Sequence, residues 1–307
     1  MAGVKVPVLV GPTGIGKTAV ALALAEHWSL EIVSADSRQV YRQLEIGTAK
    51  PTARERAKVP HHGLDLVSPG ERYSAGRFGR EAGEWIRGIG ARGHLPVVVG
   101  GTGFYVRALA EGLFHEPPMD LVHRRSVNAW AARLDSGDLV RWASRLDPGY
   151  RGGGRQRATR ALEVALLTGR PLSHWQSAAR ARGAITPWYV VLTAPRAVLH
   201  RRIAGRAAEM VRRGLLGEVA AVLAHGVAPG APGLDGVGVR EAVDVLQGVA
   251  DEAGLAELIA TRTRQYAKRQ ETWFRHQLPG ERLTLDATRG PDVLAREIAE
   301  HWARETT

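Results

Sequence analysis

Residues 11–18 read Gly-Pro-Thr-Gly-Ile-Gly-Lys-Thr, a full match to G-x-x-x-x-G-K-[ST], and no other stretch restricts the fold as strongly. The pattern works only where an apolar strand delivers the loop and a helix leaves it. Val6–Val10 reads as that strand and Ala19–Glu26 as that helix. Glycines let backbone N–H groups turn inward and cradle phosphate oxygens, helped by the positive end of the following helix. Lys17 adds a point charge on the terminal phosphate, and the Thr18 hydroxyl is a ligand for Mg²⁺. Gly11, Pro12, Thr13, Gly14, Ile15, Gly16, Lys17 and Thr18 are therefore the expected diphosphate-binding loop. Such a loop specifies a phosphate chain and leaves open which one.

Three further apolar runs, Glu31–Ala35, Leu95–Val99 and Trp188–Thr193, read as buried parallel strands. Turns followed by helical patterns separate the earlier strands, which is the βαβ alternation of an open α/β sheet. The expected fold class is α/β, a P-loop NTPase-like parallel sheet flanked by helices, with a helical insertion. Between about Gly112 and Thr186 the strand signal vanishes. Helical candidates at Leu121–Leu134, Asp138–Arg145 and Arg155–Thr168 are separated there by Asp147-Pro148 and Gly152-Gly153-Gly154, after a break at Pro117-Pro118. This predicts a discontinuous catalytic core, 1–112 and 187–307, and an insertion domain, 113–186. After Thr193 the chain reads as helical through Ala197–Arg213, Leu215–His225, Gly238–Leu246 and Gly254–His276.

Composition narrows the partners. Lys and Arg total 42 against 31 Asp and Glu, a net charge of +11. That excess favours a polyanion such as nucleic acid, because each neutralised phosphate releases counterions. Compositional drift toward Arg is the competing account. The chain has no cysteine, which excludes disulfides, thiolate nucleophiles and cysteine-based zinc sites and fits a reducing cytosol. The first strand begins too close to Met1 for a signal peptide. No apolar stretch approaches the roughly 18 residues needed to cross a bilayer. A soluble, cytoplasmic protein is expected.

Ligands of open α/β sheets bind beyond the carboxyl ends of the strands. The second strand delivers Asp36-Ser37-Arg38-Gln39-Val40-Tyr41 there, and the third delivers Gly100-Gly101-Thr102-Gly103. The fourth is followed by Arg196, Arg201, Arg202 and Arg206. Asp36 suits a general base, a magnesium ligand through water, or a cap. Thr102 suits a helix cap as well as a site hydroxyl, and Arg206 a phosphate clamp or a solvated helix charge. In the last long helical segment Arg262, Arg264, Lys268, Arg269 and Arg275 alternate with Tyr266, Trp273 and Phe274. The aromatics are expected to face the core and the charges water or RNA. Arg151, Arg155, Arg157 and Arg160 crowd the insertion. His61-His62 lacks a matched third ligand and reads as structural.

The motifs, taken together, carry a resemblance. GPTGIGKT at Gly11–Thr18, ADSRQVY at Ala35–Tyr41, IGTAKP at Ile46–Pro51 and HHGLD at His61–Asp65 are followed by YSAGRF at Tyr73–Phe78 and GGTGFY at Gly100–Tyr105. RALEV at Arg160–Val164 and QYAKRQETWFR at Gln265–Arg275 complete a series that spans nearly the whole chain. In this the sequence resembles the bacterial tRNA dimethylallyltransferases. The resemblance implies transfer of a dimethylallyl group from dimethylallyl diphosphate to N6 of the adenosine 3′-adjacent to the anticodon, with release of diphosphate. It implies Mg²⁺ as cofactor, the tRNA anticodon stem-loop as partner, and a monomer.

The same resemblance assigns roles. Asp36, Thr102, Lys17 and Arg206 form the implied catalytic set, with Asp36 the general base on the adenine amine. Lys17, Thr18 and Arg206 hold the diphosphate with magnesium on Thr18. The implied tRNA-binding residues are Asp36, Ser37, Arg38, Gln39, Thr102, Arg124, Gln156, Arg157, Ala158, Thr159 and Arg160. Three places depart from the family's habit: Gly14-Ile15 for Ala-Ser, Gly153–Arg155 where Asn-Asp is common, and Gly238-Val239-Arg240-Glu241 for Gly-Tyr-Lys-Glu. The competing functions are a prenyltransferase acting on free adenine nucleotides, a small-molecule P-loop kinase, and an RNA-binding module switched by nucleotide.

Overall fold

Short valine-rich runs can afford burial on both faces only in the middle of a sheet covered by helices, and that is where they lie. A computed structural model describes residues 3–112, 119–178 and 183–306; the Pro117-Pro118 break and the expected start of the insertion lie outside the described residues. The chain divides into two compact units, Met1–Ala110 with Ala184–Thr307, and Glu111–Gly183.

In chain order the first unit opens with β1 (Val4–Val10), α1 (Lys17–Leu24), β2 (Leu30–Ser34), α2 (Ala53–Lys58), β3 (His61–His62), α3 (Ala75–Ala91), β4 (Leu95–Gly100) and α4 (Gly103–Glu111). The second unit holds α5 (Leu121–Arg133), α6 (Ser136–Leu146), α7 (Arg155–Thr168) and α8 (Leu172–Ala178). The first unit then resumes with β5 (Ile185–Thr193), α9 (Arg196–Arg212), α10 (Leu215–Ala224), α11 (Val239–Leu246), α12 (Leu255–Gln277), β6 (Arg282–Asp286) and α13 (Pro291–Thr306).

The strand order is β3-β2-β4-β1-β5-β6, and every pairing is parallel. β1 lies between β4 and β5, so the loop after Val10 leaves from the centre of the sheet. The order places the ends of β2 and β4 on one side of that loop and the end of β5 on the other. Residues 185 and 186, expected in the insertion, belong to β5, where Ile185 pairs with Val4 and Thr186 with Lys5. The two outermost strands, β3 and β6, are additions to the sequence reading. β3 is only two residues long, and in β6 only Leu285 is buried, so neither produces an apolar run.

The second unit is held by a core of Ala131, Leu139, Ala143, Ala158, Ala161 and Leu162. Asp120 caps α5 by accepting from the Val122 and His123 amides at 2.9 Å, and Asp135 caps α6 by accepting from Asp138 N at 2.7 Å. Gly169, at φ +67°, ends α7 in the left-handed conformation. No helix among the described residues is long and apolar enough to cross a membrane.

Candidate active site

A cleft of about 720 Å³ opens at the carboxyl ends of the strands in the first unit. Lys17, Thr18, Asp36, Arg206, Tyr266 and Gln270 are among its walls. The phosphate loop forms the floor. Gly11 is forced on it by close approach: a Cβ there would lie 2.8 Å from the Leu192 carbonyl oxygen of β5. Gly16, at φ +105°, turns the chain into α1 and aims the helix start at the cleft.

Lys17 Nζ donates to the carbonyls of Gly11 at 2.8 Å and Pro12 at 2.9 Å, folding its side chain over the loop. Burial draws its ammonium down to about 8; the Asp36 charge opposes that shift and the Arg206 charge adds to it. Burial also lowers Arg206, again against the pull of Asp36. Two desolvated cations thus share one carboxylate. An incoming polyanion supplies the counter-charge they lack, so the floor is an anion site.

Asp36 follows β2 directly. One carboxylate oxygen accepts from Arg38 N at 2.9 Å, which tightens the turn and orients the side chain. Residues 37–40 form a turn and not a helix, so Asp36 closes a turn in place of the helix cap expected from sequence, and it lines the cleft as well. Thr102, after β4, accepts from Ser37 N at 3.0 Å and so stands behind the Asp36 turn. Tyr266, on α12, hydrogen-bonds Thr102, and burial pushes its phenol up to about 12. Gln270, one helical turn on, accepts from Thr13 N at 2.8 Å and donates to the Gly101 carbonyl at 2.7 Å. α12 therefore ties the phosphate loop to the turn that carries Thr102.

Of the arginines following β5, Arg206 lines the cleft. Arg202 lines it too and braces the floor, donating to the carbonyls of Ile15 at 2.9 Å and Ala287 at 3.1 Å. Arg196 and Arg201 are exposed on α9 and line no part of the cleft. Ser37, Arg38 and Gln39 line it beside Asp36.

The remaining residues assigned to tRNA lie in the second unit. Gln156 and Arg157 are exposed on the first turn of α7, and Thr159 and Arg160 are half-buried. Ala158 is fully buried in the helical core, so it offers an RNA no surface and serves packing instead. The buried Glu163 accepts from Arg124 Nε at 2.5 Å and Asn128 at 2.9 Å, and pairs with Arg160. Burial works against its ionised form, but these bonds together outweigh burial and hold the carboxyl below its usual range.

Tyr266 and Gln270 were the site residues the sequence reading missed. Tyr266, expected to face the core with Phe274, is half-buried in the cleft wall, whereas Phe274 is buried. A polar Gln270 on the same side of α12 as buried Ala267 was the available signal. His61 and His62 form β3, and His62 Nε2 lies 2.6 Å from a Glu31 carboxylate oxygen. Among the described residues no cluster of three His, Cys, Asp or Glu suits a metal ion.

Comparison with known proteins agrees with this geometry. Residues 39–277 match the IPP transferase family, and residues 4–62 match a family described as isopentenyl transferase. The tRNA dimethylallyltransferase of Halorhodospira halophila is 44% identical over 285 residues, covering 91% of this chain and 92% of its own. That of Xanthomonas oryzae is 46% identical over 284 residues, covering 88% and 86%. Among solved structures, the tRNA isopentenylpyrophosphate transferase of Bacillus halodurans aligns with a TM-score of 0.71 at 32% identity, over 97% of this chain and 95% of its own. A eukaryotic dimethylallyltransferase acting on tRNA aligns with a TM-score of 0.78 at 28% identity, over 97% and 78%. On its phosphate loop, its strand-end carboxylate and these matches, the chain belongs to the IPP transferase family.

Proposed function

We propose that this protein transfers a dimethylallyl group from dimethylallyl diphosphate to N6 of the adenosine 3′-adjacent to the anticodon of tRNA, releasing diphosphate. The observation that carries the reading is the shared cleft. A cationic phosphate floor and the Asp36 carboxylate open into the same space.

The chemistry demands that pairing. The exocyclic amine of adenine is a weak nucleophile because its lone pair is delocalised into the ring. As its nitrogen bonds to the allylic carbon, the carbon–oxygen bond to diphosphate breaks and the amine gives its proton to Asp36. A positioned base of this kind contributes on the order of 10²–10⁴-fold. The departing diphosphate gathers charge, which the loop N–H groups, Lys17 and Arg206 stabilise in place. The adenine must leave the anticodon stack to reach the floor, and unstacked loop bases are the usual targets of RNA-reading proteins.

Magnesium fits this donor set. Thr18 lines the cleft beside the phosphate floor, and its hydroxyl is a hard oxygen ligand of the kind that holds Mg²⁺ together with substrate oxygens and water. When bound, the ion neutralises charge on the diphosphate. Ser37, Arg38, Gln39 and Thr102 frame the acceptor base in this reading. Arg124, Gln156, Arg157, Thr159 and Arg160, with Ala158 packed beneath, belong to the helical unit Glu111–Gly183, which contacts the tRNA in this reading. Action as a monomer is part of the same reading. A tRNA substrate implies work in the cytoplasm.

The test is direct. Purified protein is given unmodified tRNA with either labelled dimethylallyl diphosphate or γ-labelled ATP. Label entering tRNA from the prenyl donor alone supports the reading. Label moving from ATP alone identifies a kinase and defeats it.

A further inference from the structure

Glu218, in the first turn of α10, lines no part of the cleft, yet its carboxylate makes an unusual contact. One oxygen accepts from Glu45 N and Ile46 N, both at 2.7 Å, and the other accepts from Gly47 N at 2.8 Å. Consecutive amides converging on one anion form a nest, so the Glu218 carboxylate ties the loop 45–47 to α10. The loop is also pressed down on its support. A Cβ at Gly47 would lie 2.5 Å from Val239 Cγ2 and 3.0 Å from Leu215 Cδ1.

The next residues reach the site. The carbonyls of Thr48 and Ala49 accept from Gln39 Nε2 at 3.4 and 3.2 Å. Ala49 holds φ +45°, a left-handed conformation that a non-glycine residue keeps only where its surroundings enforce it. At the other end of the same amide, Gln39 Oε1 accepts from Ser34 Oγ at 2.8 Å. Gln39 is thus fixed at both ends, and it closes the turn that begins at Asp36. Gly47, Thr48 and Ala49 form part of the cleft wall, so the loop is both a wall and a strut.

We propose that Glu218 is a positioning residue for the acceptor side of the reaction. It sets the loop 45–49, and through the Thr48 and Ala49 carbonyls and Gln39 it sets the Asp36 carboxylate against the incoming amine. The donor side does not depend on it: the phosphate loop is held separately by Lys17, Arg202 and Gln270. This inference rests on the transferase reading above, and the experiment separates the two.

Glu218→Ala, Gln39→Ala and the double variant are compared with wild type by single-turnover prenyl transfer to an anticodon stem-loop and by the Kd of dimethylallyl diphosphate. A misplacement of this kind costs roughly 10- to 100-fold in rate. Glu218→Ala is expected to lose that much in the transfer rate with the donor Kd within about twofold. The double variant is expected to be no slower than the slower single variant, because both substitutions cut one path. Wild-type transfer by Glu218→Ala, rate losses that multiply in the double variant, or a donor Kd weakened in parallel with the rate would each overturn the proposal. If Glu218→Ala does not fold, Glu218→Gln, which keeps one acceptor oxygen, is read by the same comparison. Failure of the transferase reading is recognisable separately, since the wild-type protein would then transfer nothing.

Discussion

Lys17 and Asp36 line one cleft from the ends of β1 and β2, two strands with β4 between them, and the carboxylate counteracts the burial that draws the lysine ammonium down to about 8. This opposition makes the donor site responsive to pH. A bound diphosphate favours the charged ammonium and raises its pKa above the value in the free protein. Donor affinity is therefore full below about pH 8 and falls as pH rises past it, by up to about tenfold per pH unit until the bound-state pKa is reached. Titration calorimetry at pH 7, 8 and 9 measures the fall. Asp36→Asn removes the opposing charge, so the fall should begin at lower pH. A flat affinity across this range would show that Lys17 does not bear on the phosphate.

Gln270 supplies a second test, because each end of its amide has a separate partner. Gln270→Ala leaves the Thr13 N–H and the Gly101 carbonyl unpaired, an expected loss of about 1–3 kcal/mol. Gln270→Glu can still accept from Thr13 N but cannot donate to Gly101. It also brings a negative charge to the phosphate loop, so it should weaken donor binding more than it lowers the melting temperature. Equal donor affinity in both variants would count against the loop being held from α12. Gly101→Ala should resemble Gln270→Ala in stability, since its Cβ would lie 2.4 Å from Gln270 Nε2.

Away from the cleft, Glu31 is a buried carboxylate held by Arg92, His62 and His94. The hydrogen bonds from Arg92 are the main cause that lowers its pKa to about 2, against the effect of burial. A carboxyl whose folded-state pKa is depressed contributes stability above its unfolded value, near 4.5, and loses it as pH falls toward 2. Glu31→Gln should therefore lower the melting temperature at pH 7, and its difference from wild type should shrink steadily below pH 4.5. Melting curves from pH 7 to pH 3 measure this. A constant difference would mean that packing, and not charge, is what Glu31 provides.

The parts of the molecule legible in its sequence are those where burial is two-sided or chemistry dictates residue type. β1, β2, β4 and β5 carry apolar runs because helices cover both faces of the inner sheet. The phosphate loop was legible because close approach and backbone conformation demand glycine at fixed spacing. The edge strands β3 and β6 were not legible, since an edge needs no continuous apolar run. The strand order was also hidden, and with it the fact that β4 sits between β1 and β2. Asp36, Lys17 and Arg206 were legible as cleft-lining residues because charged residues in the segments that follow strands stand out. Tyr266 and Gln270 were not, because their contacts with Thr102, Thr13 and Gly101 join segments more than a hundred residues apart, and Glu218 was hidden for the same reason. Ala158 shows the converse error: a segment matched as a whole includes residues that face inward.

The central claim is that one carboxylate, opposite a phosphate floor, takes the proton from the amine that is being alkylated. Single-turnover transfer by Asp36→Asn, with donor and tRNA affinities measured on the same preparation, tests it most directly. The transfer rate should fall by about 10²–10⁴-fold while donor and tRNA binding change only several-fold. Transfer close to the wild-type rate with both substrates bound would mean that the proton leaves by another route and that Asp36 serves only to shape its turn.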